Sequence, residues 1–190
     1  IVILMSEKVI KKNINDKYFY QNILKKDSNN YEAILKLGLI DVRENNFSSA
    51  KDKFKKLLKI DINKYEGHLN LSNIYSLEGS TSKANTILYD YLYNIKENEE
   101  IVTAIAVNLL NKEEFYDLEK HINKFIYKYE NHTLCYLKGL ILTKAEKISE
   151  SEDFFKKSIS LNINFWNSYD FLLKQYEKQS RLKDFKNHNK

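Results

Sequence analysis

The sequence predicts an all-α fold, a right-handed superhelical solenoid of antiparallel helix pairs, and three observations predict it. A pattern of small and apolar residues recurs at 34 residues, most plainly between Ala50 and Ala84. Within each period the apolar residues fall three and four apart, which is the stripe of an amphipathic helix. The chain of 190 residues has no proline and only four glycines, too little punctuation for a β-sandwich or any loop-rich fold. A helix pair repeating at this length cannot bury its apolar face alone, so copies stack on one another.

The clearest unit covers 31–64 and sets Ile34, Leu37, Gly38, Phe47, Ala50, Phe54, Leu57 and Leu58 in its buried columns. The second, 65–98, places His68, Leu71, Ser72, Tyr75, Ala84 and Leu88 in the same columns. The third, 99–131, is degenerate but stays small or apolar where burial requires it, with Val102, Ile105, Ala106, Leu109, Leu118 and Ile122. The fourth, 132–165, starts one residue early, since Gly139 follows Gly38 by 101 residues, and it carries Cys135, Leu142, Ile148, Ser151, Phe155 and Leu161. Partial units precede at 1–30, with Tyr20, Ile23 and Leu24, and follow at 166–190, with Tyr169, Leu172, Tyr176 and Phe185. Together they make one domain that grows by addition of units.

Each column has a physical reason. Gly38 and Gly139 lie inside helical patterns, where glycine costs roughly 1 kcal/mol against alanine, so a neighbouring helix must come close there. Ala50 and Ala84 argue the same way. Lys51, Lys53, Lys55, Lys56 and Lys59 occupy the other faces of the helix that carries Ala50 and Phe54, and they read as a solvated surface. Asn30, Ser80 or Ser82, and Asn131 are expected helix caps, Gly79 a helix terminator, and Glu44-Asn45-Asn46 the polar turn of an antiparallel pair.

These letters resemble the tetratricopeptide repeat, whose pattern is W-x2-L-G-x2-Y, then A-x3-F, then P. Ile34 stands for the Trp, Asp41 for the Tyr and Ile62 for the Pro, while Leu37, Gly38, Ala50 and Phe54 hold their letters. Leu71, Tyr75 and Ala84 keep theirs in the second unit, and Gly139 and Phe155 in the fourth. The resemblance implies a concave groove lined by the first helix of each pair. The corresponding positions are Glu32, Leu35, Leu39, Val42 and Arg43, then Glu66, Leu69, Asn73 and Leu77, then Thr103, Val107, Leu110 and Asn111, then Thr133, Tyr136, Leu140 and Lys144. That lining is mostly aliphatic, the mark of a contact site for a protein or peptide. One subclass of the family clamps a C-terminal carboxylate with Lys, Asn and Arg. Here those places read Leu35, Leu39, Asn70, Glu100 and Ala104, and only the Asn is present, which disfavours that mode.

Composition narrows the function further. The net charge is +5, but 31 basic and 26 acidic residues alternate within the same helices, so no stripe suited to nucleic acid forms. The abundance of Lys, Asn, Ile and Tyr looks like the bias of an AT-rich genome. A single cysteine, Cys135, excludes an intrachain disulfide and fits a reducing, cytoplasmic setting. His132 sits three residues from it, but no further Cys or His completes a metal set. His68, His121, His132 and His188 occupy unrelated columns, and no phosphate-binding glycine loop is present, so neither catalysis nor a cofactor is expected. No run is long enough to insert in a membrane, and Ile1–Met5 is too short for a signal-peptide core. With its only Met fifth and half-repeats at both ends, the chain reads as starting at Met5 or as excised from a longer polypeptide. The arg-lys cluster Arg181, Lys183, Lys186 and Lys190 reads as a solvated end.

The expectation is therefore a non-catalytic interaction scaffold that binds a peptide or helix of a partner. Two alternatives stand beside it. One is the accessory, substrate-presenting region of a longer glycosyltransferase or sulfotransferase, a fusion common in the family it resembles. The other is a homo-oligomerisation module whose incomplete end repeats stack on one another.

Overall fold

Helices follow one another along the described part of the chain, with no strand among the described residues. The structure is a computed structural model and describes residues 16–178. The apolar stretch Ile1–Met5, and Arg181, Lys183, Phe185, Lys186, His188 and Lys190, lie outside the described residues. The helices are α1 (16–26), α2 (Tyr31–Arg43), α3 (Phe47–Ile60), α4 (Tyr65–Leu77), α5 (Thr81–Asp90), α6 (Glu99–Asn111), α7 (Phe115–Phe125), α8 (His132–Lys144), α9 (Ile148–Leu161) and α10 (Trp166–Lys178). After α5 the chain widens into one π turn, Tyr91–Ile95, closed by the Lys96 amide donating to the Tyr91 carbonyl at 2.9 Å. The chain divides into two units, one ending at Ala104 and the other beginning at Ile105, and each is described by itself.

Every pair of helices is joined by the same reverse turn. Asn45, Gly79, Glu113 and Glu146 have φ of 60°, 76°, 59° and 59°, and they stand 34, 34 and 33 residues apart. At each one the next amide reaches back five residues: Asn46 to the Asp41 carbonyl at 2.8 Å, Ser80 to Tyr75 at 2.7 Å, Glu114 to Leu109 at 3.0 Å and Lys147 to Leu142 at 2.9 Å. These bonds satisfy the last carbonyls of the first helix, and only Gly79 meets the left-handed geometry without a Cβ penalty. The links between pairs follow a second rule. The Asn29 amide donates to Asp27 Oδ1, Asn63 to Asp61 and Asn164 to Asn162, at 3.0 to 3.1 Å. Asn30, Asn98 and Asn131 then cap α2, α6 and α8 by accepting from the amides of Ala33, Ile101 and Leu134. Ser80 occupies the cap position of α5 without making a side-chain cap bond.

Packing within a pair rests on size matching. A Cβ placed on Gly38 would lie 2.5 Å from Cε1 of Phe54, and one on Gly139 would lie 2.6 Å from Cε1 of Phe155. Both rings are fully buried. In the intervening repeats the same two columns hold Ser72 with Leu88 and Ala106 with Ile122, all buried, so the second side chain shrinks where the first grows. Around Phe54 the core of the first unit gathers Ile34, Leu35, Ala50, Leu57, Leu71 and Ile74, with Leu39, Val42, Phe47 and Tyr75 packed on its edge. The second unit builds its equivalent from Phe155, Ile159, Leu172 and Tyr176, joined by Tyr136, Leu140, Tyr169 and Phe171.

Two buried polar side chains are tied down by neighbours on other helices. Asp41, buried in the column where the tetratricopeptide pattern has Tyr, accepts from Ser49 Oγ at 2.7 Å and from Lys53 Nζ at 2.6 Å. A lone buried carboxylate would be costly, and Lys53 offsets it. In the second unit Gln175 donates to Thr143 Oγ1 at 3.0 Å and to Ser151 Oγ at 2.8 Å, pinning α10 to the α8–α9 pair.

The size match makes a direct prediction. Gly38→Ala gains helix propensity of about 1 kcal/mol but drives a methyl group into a ring with no room to yield, so urea melts should show a net loss of about 1–3 kcal/mol. In a Phe54→Leu background, which reproduces the Ser72 and Leu88 pairing, the same substitution should be neutral or stabilising. Equal effects in both backgrounds would refute the interlock.

Candidate functional site

Cys135 and three of the histidines sit in packed surroundings. Cys135 is fully buried on α8, and burial raises its thiol to about 11, against the smaller opposing pull of Lys157. His68 is buried and held below its ordinary pKa by desolvation, although its Nε2 donates to the Ile62 carbonyl at 3.0 Å and its ring lies 4.8 Å from that of Tyr91. His121 packs on Phe125 and His132 on Phe165, with ring centroids 5.0 and 4.8 Å apart. Among the described residues no three His, Cys, Asp or Glu side chains come together in a way that could hold a metal ion.

The residues expected to line a groove are the next candidates, and they divide by unit. In the first, Leu35 does not line an open face: it belongs to the core with Ile34 and Phe54, because α4 packs on both α3 and α2 and covers it. Leu39 and Val42 are half-buried against the same core, and Arg43 is exposed at the end of α2. On α4, Leu69 is half-buried, Asn73 is exposed and Leu77 is 64% exposed. Their spacing of four puts these three on one helix face. In the second unit Val107 and Leu110 on α6 are half-buried. Tyr136 and Leu140 pack into the core instead, since α10 lies on α9 and brings Phe171 to 5.8 Å from Tyr136, with Phe165 at 5.3 Å. Lys144, exposed in part, rests its ammonium 3.3 Å from the centroid of the Phe115 ring. Of the repeat-column residues, Leu37, Ala50, Phe54, Leu71, Ala84 and Phe155 are buried, Gly38 and Gly139 are buried helix contacts, and Tyr75 is half-buried with Lys51 and Lys83 about its ring.

The lysine face of α3 needs a correction. Only part of it is solvated surface, because Lys51 pairs with Glu78 at 2.8 Å, Lys53 with Asp41 at 2.6 Å, and Lys56 donates to the Ser28 carbonyl at 2.6 Å. The Lys51–Glu78 pair repeats one period earlier as Lys17–Glu44 at 2.5 Å. Both tie the second helix of one pair to the turn of the next, across 27 residues. Of the five lysines, Lys51 and Lys53 are neutralised by carboxylates, while Lys55 and Lys59 are exposed.

One feature escaped the sequence reading. The dipeptide Tyr-Glu opens both α2 and α4, as Tyr31-Glu32 and Tyr65-Glu66, and Glu99-Glu100 opens α6. Burial raises the Tyr31 phenol well above its usual value, and the carboxylate of Glu66 adds to the effect. Tyr65 is raised in the same order by burial and then by Glu100. Each tyrosine is therefore raised in part by the glutamate that opens the next helix pair.

Helix pairs joined by a constant turn, with a small residue on the first helix set against a large one on the second, define an all-α helical-repeat fold of the tetratricopeptide type. No protein-family model matches the chain, and no curated protein matches it in sequence. Solved structures do match. PilF of Pseudomonas aeruginosa superposes with a TM-score of 0.71 at 18% identity, over 83% of this chain and 72% of PilF. Yeast Tom70 gives 0.73 at 20% identity over 90% of this chain, which spans 37% of Tom70. YrrB, a tetratricopeptide-repeat protein with an unusual peptide-binding site, gives 0.60 at 12% identity, over 89% of this chain and 88% of YrrB. At these identities the likeness is one of fold. Among the described residues no helix is long and apolar enough to cross a membrane.

The thiol supplies a test of the second unit. With its pKa at about 11, native Cys135 should react with Ellman's reagent at pH 8 more slowly than in urea by a factor on the order of 100 or more, since both thiolate content and access are reduced. Rapid reaction without denaturant would show that α8 is not packed as described.

Proposed function

We propose that the chain is a non-catalytic protein-interaction scaffold that receives a peptide or helix of a partner on the exposed face of its first unit. The observation that carries this reading is the α4 face of Leu69, Asn73 and Leu77, where a leucine 64% exposed stands one helical turn beyond an exposed amide. Leucines in that position are a net cost in water until something covers them, and covering two contributes roughly 2–5 kcal/mol at about 25 cal/mol per Å². Asn73 can donate to and accept from a peptide backbone, which fixes the register of a bound segment. The likeness to YrrB, which has a peptide-binding site, and to Cut9, part of an assembly with Hcn1, supports a binding role.

The test is a pulldown with the whole chain as bait. Leu69→Asp combined with Leu77→Asp should remove the captured partner by at least tenfold while the melting temperature stays within about 2 °C of the parent, because neither leucine belongs to the buried core. Lys55→Ala, on the far side of α3, should capture as the parent does. Undiminished capture by the double variant would rule out this face.

A further inference from the structure

We infer that the joint between the first two helix pairs is an acid-sensitive latch, in which His68 and Tyr91 hold the link 61–64 and protonation of His68 releases it. The latch acts at this joint alone and does not depend on the proposed binding role. Three observations carry it.

The first is that both side chains grip the backbone of the link. His68 Nε2 donates to the Ile62 carbonyl at 3.0 Å, and the Tyr91 hydroxyl donates to the next carbonyl, that of Asn63, at 2.7 Å. The two rings lie 4.8 Å apart and both are buried. His68 stands in the first turn of α4, and Tyr91 opens the π turn that follows α5. The second pair thus reaches back, from its first helix and from the end of its second, to hold the chain that enters it.

The second is that these two residues break the rule of their columns. The first helix pair has Ile34 and Leu57 there, the third Val102 and Phe125, and the fourth Cys135 and Ser158, all of them buried. Of the four full pairs only the second puts an imidazole in that place. A buried imidazole costs stability unless its nitrogen is bonded, and here the bond is to the link.

The third is that the site has no room for a hydrated charge. A carbonyl only accepts, so Nε2 keeps its hydrogen in both states and acid adds its proton at Nδ1. His68 is 4% exposed, and a Cβ on the adjacent Gly67 would lie 2.7 Å from Cδ2 of Leu58, so α4 is close-packed on α3 at this point. The charged and titratable groups around the two rings are Asp90 on α5, Asp61 in the link, Tyr65 and Glu66 on α4, and Glu100 on α6. Burial opposes the charged imidazole more strongly than the Ile62 carbonyl and Asp90 together favour it, so the folded ring titrates below its ordinary value of 6.5. An open joint, with the ring in water, takes up its proton at 6.5. Closure is therefore at full strength above that pH and weakens as the pH falls below it.

The experiment follows amide hydrogen exchange of the whole chain by NMR at pH 7.5 and pH 5.0, each rate being compared with that of an unstructured chain at the same pH. In the parent, protection of the amides of 61–69 should fall at least fivefold at the lower pH, the ceiling being about thirtyfold for a single imidazole that titrates at 6.5 when open. His68→Val with Tyr91→Phe installs the residues of the third pair and should leave protection there constant between the two pH values to within twofold. Tyr91→Phe alone should loosen the link at both pH values and keep the fall, which preserves the test if the double variant folds poorly. Unchanged protection of 61–69 in the parent, an equal fall in the double variant, or a His68 ring that titrates at or above 6.5 would overturn the inference. A fall of the same size in α8 and α9, in the other unit, would mark general acid destabilisation and overturn it as well.

Discussion

The contact between a glycine on the first helix and a phenylalanine ring on the second is the constraint on which the rest of each repeat depends. With Gly38 and Gly139 the helices approach until the rings of Phe54 and Phe155 fill the space that side chains would take. That approach sets the depth of the hairpin. The depth in turn decides which residues of the first helix are covered by the second and which are left for the next pair. Where the ring is replaced by Leu88 or Ile122, the facing residue grows to Ser72 or Ala106, and the column stays fully buried. Conservation of total volume, not of any one side chain, holds the repeat together. A chain so far from the repeat's usual letters keeps its fold for that reason.

The fold class was legible because it depends on a period and on small residues inside helices, and both are local in the sequence. The reverse turns were legible at Gly79 and at Glu44-Asn45-Asn46 from composition, but not at Glu113 or Glu146, where a glutamate takes a left-handed backbone that its type does not announce. Asn98 carries the same capping signal as Asn30 and Asn131, yet it stands at the entry to the degenerate repeat 99–131, where other letters had faded. The candidate face was read less well. Leu35, Tyr136 and Leu140 have the spacing of lining residues, but lining is decided by what the following helix covers, and that requires knowing how α4 and α10 are placed. The lysines of α3 were misread for a related reason: partners 12, 27 and 28 residues away follow no helical spacing rule. The Tyr-Glu repetition was in plain view, and comparing the opening residues of successive helices would have found it.

Charge in this protein works mostly as an internal fitting. Exposed ion pairs contribute little to stability one at a time, in the range of 0–1 kcal/mol. Lys17–Glu44 and Lys51–Glu78 gain significance from recurring at equivalent places, where each fixes the second helix of one pair to the turn of its successor. The exposed apolar residues follow a similar division. Ile62 and Ile163 project from the links, held there by the side-chain turns of Asp61 and Asn162, while Leu77 projects from a helix face beside an exposed amide.

The spacing of the reverse turns shows where the repeat accommodates a change of length. The left-handed residues stand 34, 34 and 33 apart, and the caps Asn98 and Asn131 are also 33 apart. Within the repeats the distance from turn to buried column is kept, so the missing residue falls after α7 ends at Phe125 and before Asn131 begins the next pair. A link one residue shorter is accommodated there because it only has to span a gap, whereas one residue fewer inside a helix rotates the following side chains out of register by about 100°. Insertions and deletions in relatives of this gene should therefore collect between helix pairs, and the pair, from cap to link, is the length of DNA that can be duplicated or exchanged without breaking the frame of the fold.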